Sequence, residues 1–169
     1  MSESKNERWM KPISFVNIGH NCISDISATN LCKLSPRDRT EYIWGNGSDE
    51  ILDLLFRAFC EPKIDNVITL PPTYGMYEVL ANINNIATIK VALDANFQPR
   101  VEAILEAANK NSKILFLCSP NNPTANSFES SKIEKIIKEF NGIVVIDEAY
   151  IDFTEEESWL GKLKKYPNL

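Results

Sequence analysis

Residues 113–147 of the chain read KILFLCSPNNPTANSFESSKIEKIIKEFNGIVVID, and this stretch decides the fold class. It contains two short apolar runs, Lys113–Ser119 and Gly142–Asp147, whose β-branched and aromatic residues predict strands. Between them lie apolar residues at helical spacing, namely Ile133, Ile136, Ile137 and Phe140. Because both runs are mostly apolar on both faces, we expect parallel strands that are covered by helices on each side.

The same alternation of helices and strands extends upstream as far as Trp44. Val67–Leu70 and Thr88–Leu93 predict two more strands, and Tyr74–Ile83 and Trp159–Tyr166 predict two helices. Two further helices are predicted by the sets Ile51, Leu54, Leu55, Ala58 and Phe59, and Val101, Ile104, Leu105 and Ala108. Alternating elements with short connections predict an α/β domain with a mostly parallel sheet and flanking helices.

The first 43 residues differ from the rest of the chain. Pro12, Pro36 and several asparagines interrupt a weakly periodic sequence, to which we assign no structure. The chain therefore divides into an N-terminal segment, residues 1–43, and one domain, residues 44–169. A length of 169 residues is enough for one domain with a hydrophobic core.

The composition is ordinary for a soluble globular protein, with 44% hydrophobic and 24% charged residues. A formal net charge of -5 gives no overall basic field, so we expect neither a nucleic-acid nor a membrane partner. The polar start, Met1–Pro12, lacks the apolar core of a signal peptide. No apolar run approaches the ~20 residues that a membrane span needs.

The cysteines and the histidine argue against a metal site. No Cys-x-x-Cys pair occurs, and His20 is the only histidine. The widely spaced cysteines are Cys22, Cys32, Cys60 and Cys118. This pattern disfavours zinc clusters and a disulfide framework, so we expect a reduced, cytoplasmic protein without a bound metal.

A glycine-containing loop, GNGSDE at residues 45–50, directly precedes the first predicted helix. The free amides of a first helical turn carry partial positive charge, and glycine allows a ligand to approach the backbone closely. A phosphate could bind to the amides of Ser48 and Asp49, with help from the Ser48 hydroxyl. The alternative is a plain turn in which Ser48 caps the helix and the two acids offset its dipole.

Two proline-containing loops follow predicted strands. The sequence PPTYGMY at residues 71–77 would place Tyr74 at the carboxyl edge of the sheet, where an aromatic ring can stack on a planar cofactor. The sequence SPNNPT at residues 119–124 places amide side chains on a stiff loop at the same edge. For the first loop, the alternative is a tyrosine that packs at the start of a helix. For the second loop, it is an ordinary turn.

Asp147 ends an apolar strand and is followed by Glu148-Ala149-Tyr150. A buried carboxylate is costly unless it is paired, so Asp147 needs a cation or a strong hydrogen-bond donor. A magnesium ion beside nucleotide phosphates, a protonated ring nitrogen, and a cap on the following turn all meet this need. A nucleotide triphosphatase is disfavoured because no Gly-x-x-x-x-Gly-Lys-Ser/Thr loop occurs, and the one Gly-Lys pair, Gly161-Lys162, precedes a leucine.

In this order, the four motifs resemble those of the class I and II aminotransferases of fold type I, and most of all histidinol-phosphate aminotransferases. The motifs are GNGSDE at residues 45–50, PPTYGMY at 71–77, SPNNPT at 119–124 and DEAYIDF at 147–153. The resemblance extends from about Trp44 to Leu169 and implies part of a large domain that binds pyridoxal 5'-phosphate. It also implies transamination between histidinol phosphate and 2-oxoglutarate in histidine biosynthesis, by a homodimer.

The resemblance assigns cofactor-binding roles to individual residues. Those matching Ser48 and Asp49, after Gly47, hold the phosphate through their backbone amides. The match to Tyr74 stacks on the pyridine ring, and the matches to Asn122 and Tyr150 hydrogen-bond the ring hydroxyl. The match to Asp147 pairs with the protonated pyridine nitrogen, which keeps the ring able to accept electrons.

The chain also departs from the family pattern. In the family, a further strand and a Ser-Lys motif with the Schiff-base lysine come after the match to residues 166–169, so we expect no catalytic residue in this chain. The small C-terminal domain, with its carboxylate-binding arginine, is also not matched. Upstream, the Asn-Glu-Asn-Pro-type and Tyr-Pro elements are not recognisable in residues 1–43, and these include the part that reaches the neighbouring subunit. Ala125 replaces a glycine that is common after Asn-Pro-Thr.

Two functional hypotheses follow. The first is a fragment of an aminotransferase with little or no activity on its own, because it lacks the covalent anchor and proton shuttle. The second is a non-catalytic remnant or assembly module that retains the cofactor-domain scaffold. The lysines of the chain do not change this expectation, since those of the helix around Lys135 and those near Lys164 are typical of a solvated face.

Overall fold

The computed structural model describes Gly45 and residues 47–169, and these residues form a parallel sheet with helices on both faces. The strands are β1 (Asn66–Thr69), β2 (Ala87–Lys90), β3 (Ser112–Cys118) and β4 (Ile143–Asp147), in the order β2-β1-β3-β4. The helices are α1 (Ser48–Phe59), α2 (Met76–Ile83), α3 (Val101–Ala107) and α4 (Ser130–Glu139). Two 3-10 helices follow, Ile151–Phe153 and Trp159–Lys165. The predicted α/β class and parallel sheet are confirmed, whereas residues 1–43 lie outside the described part.

The parallel register places the ends of β3 and β4 side by side, with the end of β1 on the other side of β3. All neighbouring strands pair in parallel, and Cys118 at the end of β3 lies beside Asp147 at the end of β4. On the other side of β3, Ile68 of β1 pairs with Leu115. The loops that follow β1, β3 and β4 therefore leave the sheet at one edge, its carboxyl edge.

The two faces of β3 belong to two hydrophobic cores. Ile114 and Phe116 face α1 and α2, whereas Leu115 and Leu117 face α3 and α4. Successive side chains of a strand point to opposite faces, so a strand covered on both faces must be apolar throughout. This explains why the run of β3 shows no polar alternation.

The buried face of α1 differs from the predicted stripe. The stripe includes Leu54 and Ala58, but Leu54 is 42% exposed and Ala58 is also exposed, whereas Leu52 and Phe56 are buried. Phe56 packs on Phe116 with ring centroids 5.4 Å apart. The large aromatic side chain faces the core because it buries more apolar area than Leu54 and Ala58 would.

The strand β2 ends earlier than predicted, although the chain continues alongside β1. The predicted strand is Thr88–Leu93, but the regular ladder ends at Lys90. The backbone amides of Val91 and Leu93 still donate to the carbonyls of Thr69 and Pro71, at 3.0 and 2.9 Å. The extended path therefore persists into the loop and buries both apolar side chains. Among the described residues, no helix is long and apolar enough to cross a membrane.

The loop after β3 contains a strained residue. Ala125 has a φ of +59°, and its amide donates to the Asn121 carbonyl at 2.7 Å. This left-handed conformation costs roughly 1–2 kcal/mol for a residue with a Cβ atom, and nothing for glycine. The resemblance to a family with glycine at this position is consistent with that conformation.

Replacing Ala125 with glycine should therefore raise the free energy of unfolding. We expect a gain of about 0.5–1 kcal/mol, because the relief of strain exceeds the added chain entropy of the unfolded state. Urea unfolding followed by circular dichroism measures it. Ala58→Gly, at an exposed position of α1, is the control and should lose about 1 kcal/mol. Equal losses for both variants would show that the turn is not strained.

Candidate functional site

The carboxyl edge of the sheet carries the polar groups that the sequence singled out. It consists of the N-terminus of α1 and the loops after β1, β3 and β4. Open α/β sheets bind ligands at this edge because the loops there are free to carry functional groups while the strands hold them in place. The predicted site residues all belong to these elements, namely Gly47, Ser48, Asp49, Tyr74, Asn122, Asp147 and Tyr150.

At the start of α1, no side chain of the described residues caps the first amides. Gly47, which has no side chain to cap the helix, is the N-cap residue with a φ of +83°. Ser48 is the first helical residue, so the interpretation of Ser48 as the cap is not what the structure shows. A Cβ atom on Gly47 would meet no atom of residues 47–169 within 4 Å, so this part of the chain leaves the backbone open to a ligand on that side. Uncapped first-turn amides suit an anion such as a phosphate.

Tyr74 connects the loop after β1 to α1. Its hydroxyl donates to Asp49 Oδ1 at 3.0 Å, and its ring lies edge-on to Tyr77 with centroids 5.6 Å apart. Burial, followed by the hydrogen bond to the Asp49 carboxylate, raises the pKa of Tyr74 to about 12. The phenol therefore stays protonated at neutral pH, and the bond to Asp49 holds the half-buried ring in place.

Asp147 is buried at the end of β4, with 9% of its surface exposed. Its Oδ2 accepts a hydrogen bond from the Tyr77 hydroxyl at 2.7 Å, and its Oδ1 accepts one from the Ala149 amide at 3.1 Å. No ion pair between residues 47 and 169 involves this carboxylate. Its pKa is raised, because burial outweighs the two hydrogen bonds that lower it. The carboxylate thus has two neutral donors and caps the following turn, while its charge lacks a positive partner within the described part.

The loop after β3 is held by Asn121, whose side chain is buried. Its Nδ2 donates to the Pro72 carbonyl at 2.9 Å and to Thr124 Oγ1 at 2.6 Å. The Thr73 hydroxyl donates to Asn121 Oδ1 at 3.0 Å. Asn121 therefore fixes the loops after β1 and β3 to each other.

Asn122 and Tyr150 complete the set of predicted residues. Asn122 is half-buried, and its backbone lies close enough to the Cys118 thiol, beside Asp147, to lower the pKa of that thiol. Tyr150 is 44% exposed, and its ring centroid lies 6.4 Å from that of Phe153. Tyr150 is also close enough to Tyr74 to affect its pKa. The predicted residues therefore lie at one edge of the sheet, whereas their contacts with a cofactor stay predictions.

Two residues of this edge were missed in the sequence. Tyr77 holds the Asp147 carboxylate, and Asn121 joins two loops. Tyr77 begins the stripe Tyr77, Leu80, Ala81, which is buried against the sheet. A tyrosine in a buried stripe at the start of a helix needs a partner for its hydroxyl, and this was the available signal.

The geometry fits a flat, cationic, phosphorylated heterocycle. The buried Asp147 carboxylate can pair with a protonated ring nitrogen, the ring of Tyr74 is available for stacking, and the uncapped start of α1 can accept a phosphate. Among the residues that the structure describes, no group of three or more His, Cys, Asp or Glu side chains is placed to hold a metal ion. The edge thus offers a carboxylate for an organic cation and backbone amides for the anionic group of the same ligand.

Most of the chain matches one known protein family. The family model described as "Aminotransferase class I and II" matches residues 27–169. The match thus begins upstream of Trp44, where the motif resemblance starts.

Curated relatives have related names. A "Histidinol-phosphate aminotransferase" of Flavobacterium johnsoniae is 60% identical over 139 residues, which is 82% of this chain and 40% of the relative. The protein with that name from Christiangramia forsetii is 63% identical over 125 residues, 74% of this chain and 36% of the relative. The chain therefore spans about 40% of the length of the curated relatives that it matches.

Solved structures show the same similarity in three dimensions. The histidinol-phosphate aminotransferase from Clostridium acetobutylicum superimposes with a TM-score of 0.64 at 28% identity, over 72% of this chain and 36% of that one. An alanine aminotransferase from Pyrococcus furiosus gives a TM-score of 0.59 at 25% identity, over 66% and 29%.

Proposed function

The chain belongs to the class I and II aminotransferases, and from this premise we propose that its carboxyl edge binds pyridoxal 5'-phosphate in a histidinol-phosphate:2-oxoglutarate aminotransferase. The observation that carries the proposal is the buried Asp147 carboxylate, which has only neutral donors in the described part of the chain. A protonated pyridine nitrogen is a flat cation whose N–H group can donate to this carboxylate. The names of relatives that are 60–63% identical support the substrate.

Each residue of the edge has a proposed part in holding the cofactor. The amides of Ser48 and Asp49 bind the phosphate at the uncapped start of α1, next to Gly47. The ring of Tyr74 stacks on the pyridine, and Asn122 and Tyr150 orient it through the ring hydroxyl. When bound, the cofactor supplies a ring that withdraws electrons from the α-carbon of the substrate.

Asp147 has the electrostatic part in this proposal. An ionised carboxylate favours the protonated form of a neighbouring nitrogen, and the effect is strong where water is excluded. Burial of Asp147 provides that exclusion. Asp147 would thereby keep the nitrogen of a bound pyridoxal 5'-phosphate protonated, and the ring would remain electron-withdrawing.

Titration with pyridoxamine 5'-phosphate tests the proposal, because this fluorescent probe binds without a lysine. We expect pyridoxamine 5'-phosphate to bind the chain saturably. Pyridoxamine, which lacks the phosphate, should bind at least about tenfold more weakly. Hydrogen bonds to a charged group contribute about 1.5–3 kcal/mol, which corresponds to tenfold or more. Equal affinities for the two probes, or no binding of either, would contradict the proposal.

Three further expectations stay predictions. The first is that these 169 residues have little or no transaminase activity on their own. The second is a cytoplasmic location. The third is the homodimer that the family resemblance implies. The amino-acid and keto-acid substrates are likewise proposed for this chain on the strength of its relatives' names.

A further inference from the structure

We propose that Tyr77 is a positioning residue, whose phenol orients Asp147 and keeps it ionised for the nitrogen of the bound heterocycle. This inference rests on the proposed function and extends it to a residue that touches the carboxylate but is not expected to touch the cofactor. It follows from the packing of Tyr77, the geometry of its hydrogen bond and the charges around Asp147.

The ring of Tyr77 is fixed in position. The residue is fully buried, and its ring stacks on Phe116 with centroids 4.7 Å apart and planes within 9°. The ring of Tyr74 contacts it edge-on at 5.6 Å. A side chain packed on two sides cannot rotate without opening the core, so its hydroxyl stays directed at the end of β4.

The hydrogen bond fixes the carboxylate plane. The Tyr77 hydroxyl donates to Oδ2 at 2.7 Å, while the Ala149 amide donates to Oδ1 at 3.1 Å. With one donor on each oxygen, the carboxylate of Asp147 cannot turn about its Cβ–Cγ bond without losing a bond. Each carboxylate oxygen accepts about two hydrogen bonds, so a further acceptor site remains for a ligand N–H group.

The groups that face Asp147 do not otherwise favour its charge. Among the described residues, they are Tyr77 from α2, Cys118 from β3 and Asp49 from α1, together with Tyr74 from the loop after β1. Burial raises the pKa of Asp147, the charge of Asp49 raises it too, and the bond from Tyr77 lowers it. Burial also raises the pKa of Tyr77 well above its ordinary value, so the phenol remains a donor at neutral pH. Among the side chains that the structure describes, Tyr77 is thus the one that stabilises the carboxylate form before a cation arrives.

Tyr77→Phe removes the donor but retains the stacked ring. We expect the affinity for pyridoxamine 5'-phosphate at neutral pH to fall about tenfold, the usual effect of losing one hydrogen bond to a charged group. The pH below which binding weakens should also move upward, because Asp147 protonates more easily. Tyr166→Phe is the matched control, since Tyr166 donates to the Glu134 carboxylate far from this edge. It should leave both the affinity and the pH profile unchanged.

A double variant separates positioning from packing. In the Asp147→Asn background, Tyr77→Phe should cause no further loss of affinity, because Tyr77 acts through the carboxylate. If Tyr77→Phe folds poorly on its own, this comparison can still be made, because an asparagine at position 147 carries no charge that the Tyr77 hydroxyl must stabilise. A further tenfold loss in the double variant would overturn the inference.

The remaining outcomes are equally decisive. Binding to Tyr77→Phe with the affinity and pH profile of the wild type would overturn the role of Tyr77 alone and leave the proposed function intact. Failure of the wild-type chain to bind pyridoxamine 5'-phosphate would overturn the proposed function, and this inference with it.

Discussion

Replacing Phe116 with alanine should lower the free energy of unfolding by about 3–5 kcal/mol, the usual cost of removing a buried aromatic side chain. Phe116 is 1% exposed, its ring stacks on that of Tyr77 with centroids 4.7 Å apart, and its centroid lies 5.4 Å from that of Phe56. A single domain is stable by only about 5–15 kcal/mol, so the loss is a large part of the total. Urea unfolding monitored by circular dichroism measures it.

Two variants control for this effect. Phe116→Leu retains most of the volume and should cost less than about 1.5 kcal/mol if the core repacks. Phe153→Ala removes an aromatic side chain that is 84% exposed, and it should change the stability by less than about 0.5 kcal/mol. A loss below about 1 kcal/mol for Phe116→Ala would show that the core between α1, α2 and the sheet is not packed as described.

The fold could be predicted because its information is local. The run of β3 is apolar on both faces, and α4 carries its apolar residues at Ile133, Ile136 and Ile137, all of which are buried. Strand length, helical spacing and short connections together leave few arrangements other than a parallel sheet with helices on both faces. The orientation of α1 about its axis could not be predicted from its own residues. Leu52 and Phe56 are buried instead of Leu54 because Phe56 packs on Phe116, which lies on a strand distant in sequence.

The site could be predicted in outline because parallel strands end at one edge. Tyr74 and Asn122 each follow a strand and Asp147 ends one, so the topology places them together once the sheet is known to be parallel. The contacts between them could not be predicted in the same way. The partner of Asp147 is Tyr77, 70 residues away in sequence, and only the folded chain shows that its hydroxyl reaches the carboxylate.

Asp147 combines two properties that are rarely useful to a fold alone. Its carboxylate is buried, which is unfavourable, and its donors are neutral, which compensates only in part. Ligand sites commonly retain such groups at a cost in stability, because the same group gives affinity when the ligand arrives. This trade-off predicts opposite effects of one substitution on stability and on binding.

Asp147→Asn should leave the fold as stable or raise the free energy of unfolding by about 1 kcal/mol at neutral pH. The amide can still accept from Ala149 and donate to the Tyr77 oxygen, and it removes a buried charge. The affinity for pyridoxamine 5'-phosphate should fall about 100-fold, since truncating one partner of a buried charge pair costs roughly 2–5 kcal/mol. Urea unfolding and fluorescence titration measure the two effects on the same samples.

The pH dependence gives the sign of the stability effect. The pKa of Asp147 is raised above its ordinary 3.8 in the folded chain, so the folded state binds more protons than the unfolded one between those two values. The wild type therefore loses stability as the pH rises through this interval, and Asp147→Asn should not. Asp53→Asn is the control with the opposite sign, because hydrogen bonds from Asn84 and Arg57 lower the pKa of Asp53. Asp53→Asn should lose a little stability at neutral pH and retain the affinity for pyridoxamine 5'-phosphate. If Asp147→Asn also lost stability, Asp147 would serve the fold rather than a ligand.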